Sequence, residues 1–349
     1  MKNKNQARFN RHCIIYTIVA VLLLPLLLFV FTGCTAQADT EFTLPDRTLP
    51  ENAERLSYSY FRYKVYDDKT VVITEYKGEG PTVVIPDVID GMPVVELSDE
   101  LFYQNQKIES VVLGKNIERI GTNCFCGCSF LQNVTLNKKV WSIGAYAFSG
   151  TPWLNSLSDE FVVVGDGVLL KYNGNDVGIE IPNTVRHISD AFTLKALVSV
   201  TMSDSVLTIG EFAFAFNSLL CNIEFSKSLL MVDKYAFIGC DALSSVILPD
   251  RVERVGSNAF SECVGLNTVH LSASLTDLGE YAFYGCSEMR AVYLPSSVSM
   301  LPVGAFEECK ALELVLYGGD EKSFKSIVSD TTNYLLLDAT IVYNAKSGE

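Results

Sequence analysis

Cysteines are the side chains of this sequence whose type and spacing most suggest chemistry. The chain holds 10 of them, and five lie three residues after a phenylalanine that recurs about every 23 residues, a position that asparagine fills in two other copies. A position that accepts either a thiol or a carboxamide predicts a structural ladder of buried free thiols, which caps backbone groups or fills small apolar spaces. Cys221 falls between two core positions, where we expect an exposed and reactive thiol. The predicted ladder comprises Asn105, Cys128, Asn217, Cys240, Cys263, Cys286 and Cys309.

A metal site is the alternative interpretation of Cys124, Cys126 and Cys128, which are spaced like metal ligands. The second group of ligands that completes a zinc motif is missing, so we predict no metal. His187 and His270 lie in no His-Glu-x-x-His motif, and no Gly-x-Ser-x-Gly nucleophile elbow occurs. The sequence therefore predicts neither catalysis nor a cofactor.

The charge of the chain excludes one class of partner. Lys and Arg total 27 against 41 Asp and Glu, a net charge of −14, and 48% hydrophobic residues are typical of a folded globular protein. Residues 1–33 hold four basic residues and no acid, so the remainder carries 23 basic residues against 41 acidic ones. Such an acidic body repels polyanions, and we predict no nucleic-acid partner.

The N-terminus has the pattern of an export signal. Basic residues precede an uncharged apolar run at 14–31, which ends in Phe31-Thr32-Gly33-Cys34. This resembles a bacterial lipoprotein signal, which implies that residues 1–33 are removed and that a lipid on Cys34 holds the protein at the membrane. An uncleaved membrane anchor and a plain secretory signal remain as alternatives. Residues 34–57 are polar and lack periodicity, which indicates a tether.

One repeat runs through most of the remaining chain. A small residue followed by Phe recurs with steps between the Phe positions of 23, 23, 44, 22, 23, 23, 23 and 23 residues. Each copy carries a short alternating strand such as Val246-Ile247-Leu248 and a turn glycine such as Gly256. One coil is too small to fold alone, so neighbouring coils must stack. Residues 83–317 are therefore predicted to form a mostly β solenoid of about nine coils with a parallel sheet.

The motif Leu-Pro-x-x-Val-x-x-Val-Gly-x-x-Ala-Phe-x-x-Cys, from Leu248 to Cys263, resembles that of the BspA-like leucine-rich repeat family of bacterial surface proteins. The resemblance implies a sheet on the concave face, a cell-surface location and a function in adhesion to matrix proteins or other cells.

Three segments depart from the repeat. We predict a β-hairpin cap at 58–82, a hairpin insertion at 151–178, and a C-terminal cap at 318–349 with a helix at 321–328 and a strand at 339–343.

The outward residues of the predicted sheet identify a candidate binding surface. They form the column Val112, Thr135, Glu180, Thr201, Glu224, Ile247, His270, Tyr293 and Leu316. Its C-terminal half is apolar and aromatic, which favours contact with a protein or glycan ligand. The predicted ligand-binding residues are Glu224, Ile247, His270, Ala291, Tyr293 and Leu316.

Other interpretations of this face remain open. Exposed β-branched and aromatic residues also suit strands without any binding role. The protein could instead be a structural envelope lipoprotein that contacts cell-wall material. A surface hydrolase would need converging acids, and Glu180 and Glu224 lie two coils apart, at about 10 Å. This separation is slightly too large for an inverting pair.

Overall fold

The computed structural model describes residues 42–51, 53–328 and 331–346. The predicted signal peptide and Cys34 lie outside these residues. The chain divides into a unit of residues 1–46 and a unit of residues 47–349. Residues 42–46, the described part of the first unit, contain no helix or strand. Among the described helices, none has the length and apolar composition needed to cross a membrane.

The second unit begins with an antiparallel cap. β1 (Leu56–Tyr58), β2 (Phe61–Val65) and β3 (Val71–Tyr76) pair consecutively. The strands consist mainly of aromatic and β-branched residues, and those that face the first repeat, such as Tyr63 and Ile73, are buried.

The remaining elements follow in chain order. Before the insertion come β4 (Thr82–Val84), β5 (Val88–Ile89), β6 (Met92–Leu97), β7 (Ser110–Val112), β8 (Arg119–Ile120), β9 (Asn133–Thr135) and β10 (Ser142–Ile143). The insertion adds α1 (Pro152–Ser156), β11 (Phe161–Val164) and β12 (Val168–Tyr172). The later repeats contain β13 (Gly178–Ile181), β14 (His187–Ile188), β15 (Ser199–Met202), β16 (Thr208–Ile209), β17 (Asn222–Glu224), β18 (Met231–Val232), β19 (Ser245–Ile247), β20 (Arg254–Val255), β21 (Thr268–His270), β22 (Asp277–Leu278), β23 (Ala291–Leu294) and β24 (Leu314–Tyr317). The C-terminal cap holds α2 (Glu321–Ile327), a 3₁₀ turn (Thr331–Asn333), α3 (Tyr334–Asp338) and β25 (Thr340–Tyr343).

These strands build two faces of a β solenoid, which confirms the predicted fold class. The long-strand face carries the parallel sheets β4-β7-β9, β13-β15-β17 and β19-β21-β23-β24-β25. The short-strand face carries β1-β2-β3-β6-β8-β10, with β5 on β6, and β11-β12-β14-β16-β18-β20-β22. The solenoid has about 12 turns rather than nine. The insertion, β25 and the cap strand β3 all pair in parallel with repeat strands and extend the stack.

A spine of phenylalanines fills the core. In regular junctions the rings of successive coils stack with centroids 4.8–5.4 Å apart and interplanar angles of 10° or less. The rings are fully buried, and burying each contributes about 2 kcal/mol. The spine is interrupted by the insertion, where Trp153 packs on Phe148 and Tyr172 packs on Phe192.

The two irregular segments differ in part from expectation. Within 151–178, β11 and β12 form a hairpin, but α1 precedes it as a short helix that we did not predict; the Thr151 hydroxyl accepts a hydrogen bond from the Leu154 N–H. In the C-terminal cap the Asp320 carboxylate accepts from the Ser323 N–H and begins α2. The last strand, β25, pairs in parallel with β24.

Candidate functional site

The C-terminal part of the long-strand face contains a continuous row of outward side chains. Strand register places Ile247 opposite His270, His270 opposite Tyr293, and Tyr293 opposite Leu316. The row continues to Val342 of β25, which lies opposite Leu316 and is 42% exposed. We call these five residues the C-terminal column. The sequence analysis did not include Val342, because β25 belongs to no repeat copy. The alternating sequence of β25 was the signal that could have placed Val342 on the outward face.

The exposure of the C-terminal column is uneven. Ile247 is 69% exposed, whereas His270 and Leu316 are half-buried. The expectation that Tyr293 is exposed is wrong, because only 7% of its surface is accessible. The His270 ring stacks on it with a centroid distance of 4.3 Å and an angle of 6°, and Leu316 lies in register on the other side. Side chains one strand apart in a parallel sheet thus cover each other.

Burial also determines the charge state of the C-terminal column. It lowers the pKa of His270, an effect that the nearby Asp250 partly offsets. Burial raises the pKa of Tyr293, and the negative charge of Asp250 acts in the same direction. Both rings are therefore neutral at neutral pH, and the surface is apolar and aromatic beside one exposed acid.

The other predicted contact residues lie at the margin of this surface. Ala291 is half-buried on β23, one position to the side of the C-terminal column. Glu224 is exposed, but β17 belongs to a different sheet from β19, so it shares no ladder with Ile247. Glu224 instead lies in register with Thr201 and Glu180.

The cysteine ladder has a structural geometry. The thiols of its members donate to the carbonyl of the spine phenylalanine one coil earlier, with sulfur–oxygen distances of 3.0–3.3 Å. The Asn217 side chain donates to the Phe192 carbonyl at 2.8 Å. Asn105 uses its oxygen instead, which accepts from the N–H groups of Lys107 and Ile108.

These thiols are poor nucleophiles. Burial raises the pKa of Cys128 to about 11 and that of Cys240 to about 12, so both stay protonated at neutral pH. The ladder cysteines are free and buried. Cys221 is half-buried and disulfide-bonded, so the expectation of an exposed reactive thiol is wrong.

Metal and acid–base chemistry gain no support from the described residues. Cys124, Cys126 and Cys128 are free thiols, and no group of three or more metal-ligating side chains is found in the part of the chain that the structure describes. His187 is buried, and its Nδ1 lies 2.9 Å from the Thr208 hydroxyl. Burial lowers its pKa to about 3, which keeps the ring uncharged at neutral pH.

Comparison with known families identifies the class of this protein. Residues 95–218 and 216–329 match the model of the BspA type leucine-rich repeat region, in six copies. The chain therefore belongs to the BspA-type leucine-rich repeat family, whose repeats generally serve as binding scaffolds. A search of curated protein sequences gives no match.

Several solved structures are similar to this chain. A leucine rich cell surface protein from Faecalibacterium prausnitzii is 21% identical, with 80% of this chain and 99% of that chain covered and a TM-score of 0.38. A leucine rich repeat protein from T. pallidum is 21% identical, with 84% and 100% covered and a TM-score of 0.28. The pneumococcal vaccine antigen PcpA is 15% identical, with 84% and 98% covered and a TM-score of 0.40.

Proposed function

We propose that this protein is a non-catalytic binding module of the bacterial cell surface, held by a lipid on Cys34. Its C-terminal column contacts a protein or glycan on another surface, such as a host matrix protein or another cell. The observation that carries the proposal is the in-register row from Ile247 to Val342, which exposes apolar and aromatic groups on a rigid sheet. Contiguous exposed apolar surface is typical of interaction sites.

The energetics of the C-terminal column favour this role over a purely structural one. Ile247 and Val342 leave a large part of their apolar surface in water, which costs stability that burial against a partner would recover. The half-buried, neutral His270 ring lies between them and is held in place by stacking on the buried Tyr293 ring, and aromatic residues are enriched in binding hot spots.

The test is a binding assay of the full-length protein on matrix proteins, glycans and cell-wall polymer. Ile247→Asn changes an exposed side chain, so we expect an unchanged melting temperature and binding to the captured ligand about tenfold weaker or worse. Val84→Asn is the matched control, because Val84 is 61% exposed on β4 of the same face, outside the C-terminal column. Equal affinity of the Ile247 variant and the unchanged protein would remove the column as the contact site.

A second assay tests the location. Adhesion requires display on the outer surface, so protease treatment of intact cells is expected to release fragments of this protein. Protection from the protease, together with binding to cell-wall polymer alone, would favour the structural envelope role instead.

A further inference from the structure

The turns at the spine phenylalanines are joined by a repeated pair of backbone hydrogen bonds. In a regular junction, the N–H of the phenylalanine and the N–H two residues later donate to carbonyls of the next coil. Their nitrogen–oxygen distances are 2.7–3.1 Å. This pair of bonds is present at Phe102, Phe125, Phe192, Phe214, Phe237, Phe260 and Phe283.

The junction that follows Phe148 lacks this pair. Its turn has the regular conformation: Tyr146 and Gly150 have positive φ of 58° and 75°, close to the values of 56° and 73° at Asn123 and Gly127. The N–H groups of Phe148 and Gly150 therefore point toward the next coil, as in the other turns. Neither donates to another described residue, because the next spine turn is 44 residues away and the insertion intervenes. We call this junction the seam.

At the C-terminal end, where no further repeat follows, side chains accept from the N–H of the spine phenylalanine and from the N–H two residues before it. There, the Asn333 side-chain oxygen accepts from the Phe306 N–H at 3.1 Å, and the Thr332 hydroxyl accepts from the Gly304 N–H at 2.8 Å. At the seam a side chain replaces only one bond, since the Asp190 carboxylate accepts from the Tyr146 N–H at 2.9 Å. Two donors thus remain available at the seam.

A cavity of about 200 Å³ opens at the seam. We call it the seam cavity; it is lined by Tyr146, Ala147, Phe148, Ser149, Leu154, Leu170, Lys171, Tyr172, Asn173, Asp190, Ala191 and Lys195. This volume has room for several water molecules or for one small organic ligand.

The side chains that line the seam cavity include two lysines and one acid, although Asp176 and Glu160 act on the Tyr172 ring from nearby and the molecule as a whole is acidic. The Lys195 ammonium lies over the Tyr172 ring at 5.8 Å, and the Lys171 ammonium lies 3.5 Å from the carbonyls of Leu154 and Leu157. The Asp190 carboxylate is engaged by the Tyr146 N–H and the Ser189 hydroxyl. Burial raises the pKa of Asp190, which weakens its opposition to an incoming anion.

We propose that the seam cavity binds a small ligand through a carboxylate group. The carboxylate accepts a hydrogen bond from the Phe148 N–H, as the Asn333 oxygen does from the Phe306 N–H at the C-terminal end. It also accepts from the Gly150 N–H and pairs with the Lys195 ammonium. The apolar side chains of Leu154 and Leu170 contact the body of the ligand. Acidic sugars and peptide C-termini both present this chemistry. The site is separate from the C-terminal column and does not rest on the function proposed for it.

The test follows the two donors directly by NMR. The full-length ¹⁵N-labelled protein is titrated with D-glucuronate, with alanyl-alanine, and with methyl glucoside as the neutral counterpart of the sugar. We expect the amide protons of Phe148 and Gly150 to shift downfield with a carboxylate probe and to stay in place with methyl glucoside. A response to glucuronate alone assigns an acidic sugar, and a response to the dipeptide alone assigns a peptide C-terminus.

A pair of lysine variants tests the charge. Lys195→Gln is expected to weaken binding of the responding probe about tenfold, because it removes one charge-assisted contact. Lys227→Gln, which changes an exposed lysine in a different coil, is expected to leave the affinity unchanged. The proposal is overturned if none of the probes moves the Phe148 and Gly150 signals, which would mean that water alone occupies the cavity. Equal binding of methyl glucoside would overturn the carboxylate assignment.

Discussion

The seam and the C-terminal end are two places where a spine turn loses its regular neighbour, and the fold treats them differently. At the end, Asn333 is buried and spans the junction, accepting from the Phe306 N–H and donating to the Pro302 carbonyl. At the seam, the Asp190 carboxylate caps the Tyr146 N–H, while the N–H of Phe148, a residue that lines the seam cavity, has no acceptor among the described residues. The comparison shows that where the next spine turn is missing, side chains from outside the repeat take over its acceptor role: Asn333 does so for the spine phenylalanine at the C-terminal end, and no described side chain does so at the seam.

The largest expected loss of stability follows from a substitution in the regular part of the phenylalanine spine. Phe237→Ala removes a fully buried ring that stacks on both Phe214 and Phe260, and it should lower the free energy of unfolding by about 3–5 kcal/mol. Urea unfolding measures this loss. Phe216→Ala is the control, because Phe216 is 48% exposed and its loss should cost about 0.5 kcal/mol or less. A similarly small loss of unfolding free energy for both variants would contradict the conclusion that the stacked phenylalanine rings stabilise the solenoid.

An intermediate effect is expected at the C-terminal end. Asn333→Ala leaves the Phe306 N–H and the Pro302 carbonyl without their partner, which should cost about 1–3 kcal/mol in the same assay. Lys195→Gln at the seam, where no junction bond is lost, should stay within about 0.5 kcal/mol of the unchanged protein. If the Asn333 variant is as stable as the Lys195 variant, Asn333 does not cap the C-terminal end.

The smallest expected effect on the free energy of unfolding is a pH dependence that distinguishes Asp190 at the seam from Asn333 at the C-terminal end. Burial raises the pKa of Asp190 above its usual value, so the folded state takes up a proton more readily than the unfolded chain. The Asp190 contribution to stability is therefore fully present at low pH and is lost as pH rises through the folded-state pKa. Asp190→Asn should increase the free energy of unfolding more at pH 7.5 than at pH 5, whereas Asn333→Ala should cost the same at both. An equal effect of Asp190→Asn at the two pH values would contradict this assignment.

The sequence predicts the regular part of the molecule well because one physical constraint repeats. A coil that buries Val246 and Leu248 must place Ile247 outward, and the 23-residue step then sets Ile247 opposite His270. The strand pairing, the spine and the outward rows all follow from that period.

The rest depends on neighbours that the period does not specify. Outward position alone suggests that Tyr293 is exposed; its burial requires that His270 and Leu316 be large enough to cover it. The free donors at the seam depend on how the insertion packs, and the cap of Phe306 depends on a 3₁₀ turn outside the repeat. The sequence did contain a signal for the burial of Tyr293, because large residues lie one repeat before it and one repeat after it.

The thiols beneath the turns give each coil a chemical label of its own. Cys128, Cys240, Cys263, Cys286 and Cys309 are free and enclosed in different turns of the solenoid, so an alkylating reagent can reach one of them only after that coil has opened. The rate of modification at each cysteine would therefore report whether the stack frays from its ends, separates first at the insertion, or unfolds as a single unit.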